Sequence, residues 1–322
     1  MADTWVRDAV NEINADFRRS ADTHLIRFSL KEFPGIHFYL KDESTHPSGS
    51  LKHRLARSLF LYGLSNGWIN QHTPVIEASS GSTAVSEAYF ARLLGLPFIA
   101  VMPASTARRK TEQINFYGGQ CHFVATSSEI YHQSAQLARE QQGHYMDQFT
   151  YAERATDWRS NNNIAESIFR QMQDEPYPVP HTLVMSAGTG GTSATLGRYI
   201  RYRGAPTRLL VTDPENSVFY DYWKHRDPGL THPSGSRIEG IASLAGMYAL
   251  EKILGRRVGP STGTNFIGML HVAEKMKARG ERGSLVTLIC DSGERYPDTY
   301  YNPEWVAENI GDISKFQSQL SC

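Results

Sequence analysis

The sequence predicts an α/β fold in which parallel sheets alternate with helices, arranged in two successive halves. Three observations carry that expectation. Short β-rich runs recur along the chain: PVIEAS (74–79), PFIAVM (97–102), QCHFVA (120–125), HTLVMS (181–186), RLLVTD (208–213) and LVTLIC (285–290). They are apolar on both faces rather than alternating, as strands in the middle of a parallel sheet are. Helical patterns lie between them, which implies parallel pairing with right-handed crossovers. Finally, the polar and aromatic stretch HYMDQFTYAERATDWRSNNN (144–163) separates the two halves and places a domain boundary near 150.

Composition narrows the class of protein. A chain of 322 residues buries a large core without needing disulfides or a structural metal. It is 40% hydrophobic and 20% charged, ordinary values for a globular protein. Lys plus Arg equals Asp plus Glu at 33 each, so no nucleic-acid or membrane surface is expected from the balance. Cys121, Cys290 and Cys322 are too few and too far apart for a disulfide framework or a CxxC metal pair, and no metal is expected. The opening MADTWVRDAVNEINADFRRS is charged and periodic, without the apolar core of a signal peptide. No run approaches the roughly 18 apolar residues of a membrane span. A cytoplasmic protein is the expectation.

In chain order, the first informative segment is SGSLKHR (48–54), where small residues lead into Lys52 and an apolar helical run, LARSLFLYGL. A lysine in the first turn lies against the positive end of the helix dipole, and burial there would favour the neutral amine that Schiff-base chemistry needs. Position alone favours a solvated lysine, since most lysines are exposed. The hexapeptide THPSGS ending at Ser50 recurs at 231–236, where RIEG and no lysine follows. Such residues are favoured in any turn, so the second copy reads as coincidence.

The next loop, ASSGST (78–83), joins a strand to the helix STAVSEAYFARLLG (82–95), which has Ala84, Ala88, Ala91 and Leu94 on overlapping faces and Gly95 at its end. Its hydroxyls and backbone N–H groups converge on a helix N-terminus, suited to a carboxylate or a phosphate, or simply to capping. NNNIAESIFRQMQ (161–173) offers an Asn cap and apolar Ile164, Ile168 and Met172 at helical spacing. A third loop, SAGTGGTSATLGRYI (186–200), again runs strand, glycine loop, helix. Gly188, Gly190 and Gly191 let the backbone close on an oxyanion, while Thr189 and Thr192 add hydroxyls. It lacks the P-loop lysine, and Ser193 breaks GxGxxG. Ser292, in CDSGERY (290–296), falls at the carboxyl end of the last strong strand, where open α/β sheets bind ligands. His46 and His53 read as structural or solvent-exposed, and Cys121 and Cys290 as core residues.

Taken together and in order, these segments resemble the fold-type II pyridoxal-phosphate enzymes of the cysteine synthase and cystathionine β-synthase superfamily. KDESTHPSGSLKHR (41–54) is similar to that family's lysine motif, ASSGST to its T-S-G-N-T loop, and GTGGT (188–192) to its phosphate cradle. The resemblance spans about residues 35 to 300. It implies a tryptophan synthase β-like architecture, two open twisted α/β domains with the active site between them. The expected division is 40–150 for the smaller domain, and 1–39 with 151–322 for the larger.

The resemblance also implies roles. Lys52 is the Schiff-base lysine of pyridoxal 5'-phosphate; Ser79, Ser80, Gly81, Thr83 and Gln148 hold the carboxylate of a small amino-acid substrate, and Gly240 in EGIA forms an active-site turn. Gly188, Thr189, Gly190, Gly191 and Thr192 hold the cofactor's phosphate, and Ser292 faces its pyridine nitrogen. Ser82 stands where the family has an asparagine on the ring hydroxyl, and Ser44 replaces a second asparagine. These departures and the block STHPSGSLKHRLARSLF are similar to the bacterial L-cysteine desulfhydrase branch. The implied reaction is β-elimination on L-cysteine through an aminoacrylate, giving sulfide, pyruvate and ammonia. Cysteine synthase or another β-replacement is the alternative within the family, and a non-catalytic regulatory or binding protein of the same fold is the alternative outside it. A homodimer is expected on the same ground.

Overall fold

The computed structural model describes residues 4–106, 108–214, 216–232 and 241–313. The chain runs α1 (Thr4–Arg18), β1 (Leu25–Phe28), β2 (Ile36–Asp42), α2 (Lys52–Ser65), β3 (Val75–Ala78), α3 (Ser82–Leu94) and β4 (Phe98–Pro103). It continues through α4 (Arg108–Phe116), β5 (Gln120–Val124), α5 (Ile130–Glu140), β6 (His144–Tyr145), α6 (Gln148–Ala155) and α7 (Ile164–Gln171). The last part holds β7 (Thr182–Ser186), α8 (Gly191–Arg203), β8 (Arg208–Thr212), α9 (Phe219–His225), α10 (Ile241–Leu254), α11 (Pro260–Ala278), β9 (Gly283–Ile289) and α12 (Pro303–Asn309).

Two compact units result: Met1–Asp22 with His46–Asn163, and Thr23–Thr45 with Ile164–Cys322. This partition differs from the expected one at the N-terminus, because α1 packs with the first unit. Its Ala9 and Ile13 are buried in a core with Leu59 and Phe60 of α2 and Phe90 of α3. Each of these leucine, isoleucine and phenylalanine side chains contributes about 1.5–3 kcal/mol on burial. Arg57 adds a cation–π contact on Phe17, 4.3 Å from the ring centroid, and a hydrogen bond to Asn14.

The first unit carries a four-stranded sheet in the order β5-β4-β3-β6, parallel throughout. The second carries β1-β2-β9-β7-β8, parallel except for the antiparallel β1–β2 pair. All six apolar runs are strands, and the expected helices form, α3 ending at its Gly95 cap. Two of the six are not doubly buried. QCHFVA and RLLVTD form the edge strands β5 and β8, which leave Gln120 and Phe123, and Arg208 and Val211, exposed. Cys121, on β5, is therefore only partly buried, whereas Cys290 is fully enclosed as expected.

In the second unit α11 lies against α10 and the sheet, and its polar residues tie down the carboxyl ends of the strands. Ser186 at the end of β7 donates its N–H to Asn265 Oδ1 at 2.6 Å, and Cys290 after β9 donates its N–H to Thr262 Oγ1 at 3.0 Å. The α10–α11 crossing is close enough that a Cβ on Gly263 would run into the Ser243 carbonyl oxygen and Met247. Gly263→Ala is therefore expected to destabilise the protein by about 1–3 kcal/mol, the usual scale of overpacking. A thermal midpoint equal to that of the parent would show that the helices can move apart without cost.

Candidate active site

In the first unit, Lys52 opens α2 as expected, half-buried, with its N–H donated to Ser50 Oγ at 3.3 Å. The segment before it is pinned from several sides. Ser48 Oγ lies 3.0 Å from His53 Nδ1 and 2.8 Å from Ser86 Oγ on α3, and the Tyr117 hydroxyl donates to the Pro47 carbonyl at 2.8 Å. His53 is buried against Tyr89 and Phe90 and stacks on His46 with ring centroids 4.9 Å apart. The histidines beside the lysine are thus part of its support, one of the two roles open to them from sequence.

The 79–83 loop leaves β3 and enters α3 at its N-terminus. Ser79, Ser80, Gly81 and Ser82 are partly exposed, and Gly81 caps the helix without any side-chain cap bond. Helix N–H donors there face an accessible loop, where the dipole favours an anion. Thr83, 3% exposed, donates its hydroxyl to Gln148 Oε1 at 2.7 Å. Two residues that the resemblance assigns to the same carboxylate, 65 positions apart, are thus in direct contact. With Oε1 engaged, the amide nitrogen is what Gln148 has left to offer an anion.

Sequence reasoning passed over what stands behind this loop. Glu77, inside the apolar strand β3, and Glu87, on the buried face of α3, are both fully enclosed. Glu77 accepts the N–H of Ala78 at 2.7 Å and that of Gln148 at 3.1 Å. The signal was present: an acidic residue within PVIEAS, and another four residues beyond Thr83 on the same helix face.

In the second unit, β7 runs into the glycine loop and α8. Gly190 is the helix N-cap at φ 80°, a left-handed backbone that favours glycine, and no side chain caps the helix. A Cβ on Gly188 or on Gly190 would meet no atom within 4 Å, so the face of the loop is open above its backbone. Thr189 Oγ1 accepts the Gly191 N–H at 3.4 Å, and Thr192 is partly exposed at the first turn. Backbone N–H groups, two hydroxyls and a positive helix end match a phosphate dianion.

Ser292 follows β9, which pairs with β7, and accepts the Glu294 N–H at 3.3 Å. The glycine loop and Ser292 therefore both lie past the carboxyl ends of adjacent strands. Burial pushes the Cys290 thiol up, as it does the Cys121 thiol, so neither is prepared as a nucleophile. Gly240 lies outside the described residues, as does most of the second THPSGS. Among the described residues no group of three His, Cys, Asp or Glu is placed to hold a metal, and no helix is long and apolar enough to cross a membrane.

Comparison with known proteins agrees with this architecture. A family model described as "Pyridoxal-phosphate dependent enzyme" matches residues 20–291. The chain is 55% identical to L-cysteine desulfhydrase Cds1 of Mycobacterium tuberculosis, over 94% of this chain and 90% of that one. It is 30% identical to a putative pyridoxal-phosphate dependent protein of Caenorhabditis elegans, over 95% and 81% of the two chains. Among solved structures, an O-ureido-L-serine synthase superposes with a TM-score of 0.74, covering 98% of both chains at 20% identity, a likeness of fold.

Replacing Gly190 by Asp tests the glycine loop. The substitution strains a φ of 80° and sets a carboxylate against the proposed phosphate. Purified Gly190→Asp is expected to carry less than about a tenth of the parent's bound cofactor, since two like charges about 4 Å apart at a protein surface repel by about 4 kcal/mol, more than the roughly 1.4 kcal/mol of a tenfold loss. Full cofactor content would remove the phosphate role from this loop.

Proposed function

Because this chain belongs to the pyridoxal-phosphate dependent enzymes, we propose that it catalyses β-elimination on L-cysteine, which with water gives sulfide, pyruvate and ammonia. The observation that carries this reading is the 55% identity to a named L-cysteine desulfhydrase across nearly the whole of both chains.

The residues fit the cofactor. The open glycine loop, Thr189 and Thr192 would hold its phosphate, Ser292 would face its pyridine nitrogen, and Lys52 would carry it. When bound, the group supplies an electron sink for the charge that develops at the substrate's Cα. The remaining work falls to side chains and backbone of this protein. The N–H groups and hydroxyls of the 79–83 loop, with the Gln148 amide, take the substrate's carboxylate. That fixes Cα relative to Lys52, whose Nζ takes the Cα proton in its neutral form. A serine at position 292 offers a hydroxyl and not the fixed negative charge of a carboxylate, so it does not enforce protonation of the ring nitrogen. The weaker sink that Ser292 would leave would favour loss of a β-substituent over transamination.

The same reading places the protein in the cytoplasm as a homodimer. Light scattering on the eluting peak tests the dimer directly.

L-Cysteine given to the purified holoenzyme is expected to yield sulfide and pyruvate in equal amounts. Cysteine made from O-acetyl-L-serine and sulfide, with no pyruvate from cysteine, would make the enzyme a synthase instead. Lys52→Ala should lower kcat about a thousandfold, the scale of a lost general base, with circular dichroism and thermal midpoint retained. Undiminished turnover in that variant would refute the assignment of Lys52.

A further inference from the structure

The acid pair behind the 79–83 loop has a chemistry of its own. Glu77 has both oxygens engaged by backbone donors, Ala78 N–H and Gln148 N–H. Glu87, with no solvent exposure, has neither oxygen on any donor, and its carboxyl lies in hydrogen-bonding reach of Glu77. Two carboxylates enclosed together cannot both stay ionised. The backbone donors favour the charge on Glu77, so the proton resides on Glu87 and is donated to Glu77.

We propose that Glu87 is a positioning residue acting as a neutral acid: by holding this proton it fixes Glu77 on the Ala78 and Gln148 N–H groups and keeps one negative charge, rather than two, behind the loop that takes the substrate carboxylate. The inference rests on the carboxylate role proposed above for that loop. Desolvation is the largest influence on both acids and pushes each up, with Glu77 pushing Glu87 further. Several other groups face the pair. Lys52 on α2 favours an ionised Glu87, whereas Asp147 at the head of α6 opposes ionisation of Glu77. Tyr131 on α5 and Tyr145 on β6 are held neutral, both pushed up by burial and then by Glu77 and Asp147, with Glu87 adding to the effect on Tyr145.

The sign of the pH effect follows. A bound substrate carboxylate disfavours a second negative charge nearby, so it raises the pKa of the acid pair, and the complex binds the proton more tightly than the free enzyme does. Affinity for the amino acid must then fall as pH rises through the free enzyme's pKa. The change is up to tenfold for each pH unit separating the free and bound values.

The test titrates holoenzyme with L-alanine, which lacks a β-leaving group, following the cofactor's visible absorbance band from pH 6.5 to 9.5. The parent's Kd is expected to rise at least about threefold more over that range than that of Glu87→Gln, which donates to Glu77 but cannot ionise. Glu87→Met, which can neither donate nor ionise, should bind L-alanine about tenfold more weakly than Glu87→Gln at pH 7, the scale of a lost bond to a buried charge. Parallel pH curves for the parent and Glu87→Gln, or equal affinities for Glu87→Met and Glu87→Gln, would overturn the proposal. Should neither variant fold, infrared spectra of the parent decide it: a buried carboxylic-acid carbonyl band at pH 7 is expected, and its absence defeats the proposal. Failure of the desulfhydrase reading is separable, since it would appear as no sulfide or pyruvate from L-cysteine while L-alanine still binds with this pH dependence.

Discussion

A parallel strand has to hand its chain to a helix at its carboxyl end, and that constraint organises both units. The helix begins with N–H groups that no residue of its own can satisfy. β3 feeds α3 through ASSGST, and β7 feeds α8 through GTGGT; in neither case does a side chain cap the helix. Such ends are costly if buried without partners, and tolerable when open to an anion. The chain accordingly keeps these loops small and hydroxylated. The surrounding helices hold the strand ends in place, as Asn265 and Thr262 do from α11.

The two proposed anion sites are built differently. Around the glycine loop the field comes from the backbone, and nothing of opposite effect is enclosed nearby in β7. The 79–83 loop instead has the Glu77 carboxylate two residues upstream, enclosed and bonded to the very N–H that starts α6. A buried carboxylate costs several kcal/mol unless donors compensate it. Here Ala78, Gln148 and the Glu87 carboxyl provide three. What the arrangement gains is geometry: one acid joins β3, α3 and α6 at the point where Thr83 meets Gln148.

Much of this was legible in the sequence, for a physical reason. Strand-loop-helix junctions are local, so residues 78–83 and 186–192 declare themselves by order and composition. Burial on both faces also shows locally, which is why β3, β4, β7 and β9 stood out. What stayed hidden was set by partners distant in sequence. β5 and β8 read as central strands because edge position depends on which neighbours a strand lacks. β2 was missed because His37, Tyr39, Lys41 and Asp42 break up its apolar residues, and Lys41 is buried with Thr23 and Gln171 accepting its hydrogen bonds. The N-terminal helix joined the first unit through Ile13 and Arg57, contacts no local pattern announces. Glu77 and Glu87 each look like an ordinary acid; only the fold makes them a pair.

Charge balance links that pair to the proposed chemistry. In the proposed reaction Lys52 is neutral when it accepts the proton from Cα and an ammonium once it has done so. Within the same unit, that ammonium favours an ionised Glu87, while Glu77 disfavours it. If Glu87 were a permanent carboxylate, it would attract the ammonium but repel the substrate's carboxylate from the adjoining loop. An apolar side chain would do neither and would leave the buried Glu77 short of a donor. A neutral acid avoids the repulsion and supplies the donor. That combination accounts for an ionisable residue on the interior face of a helix whose other buried side chains, among them Thr83, Ser86, Val85 and Phe90, carry no charge.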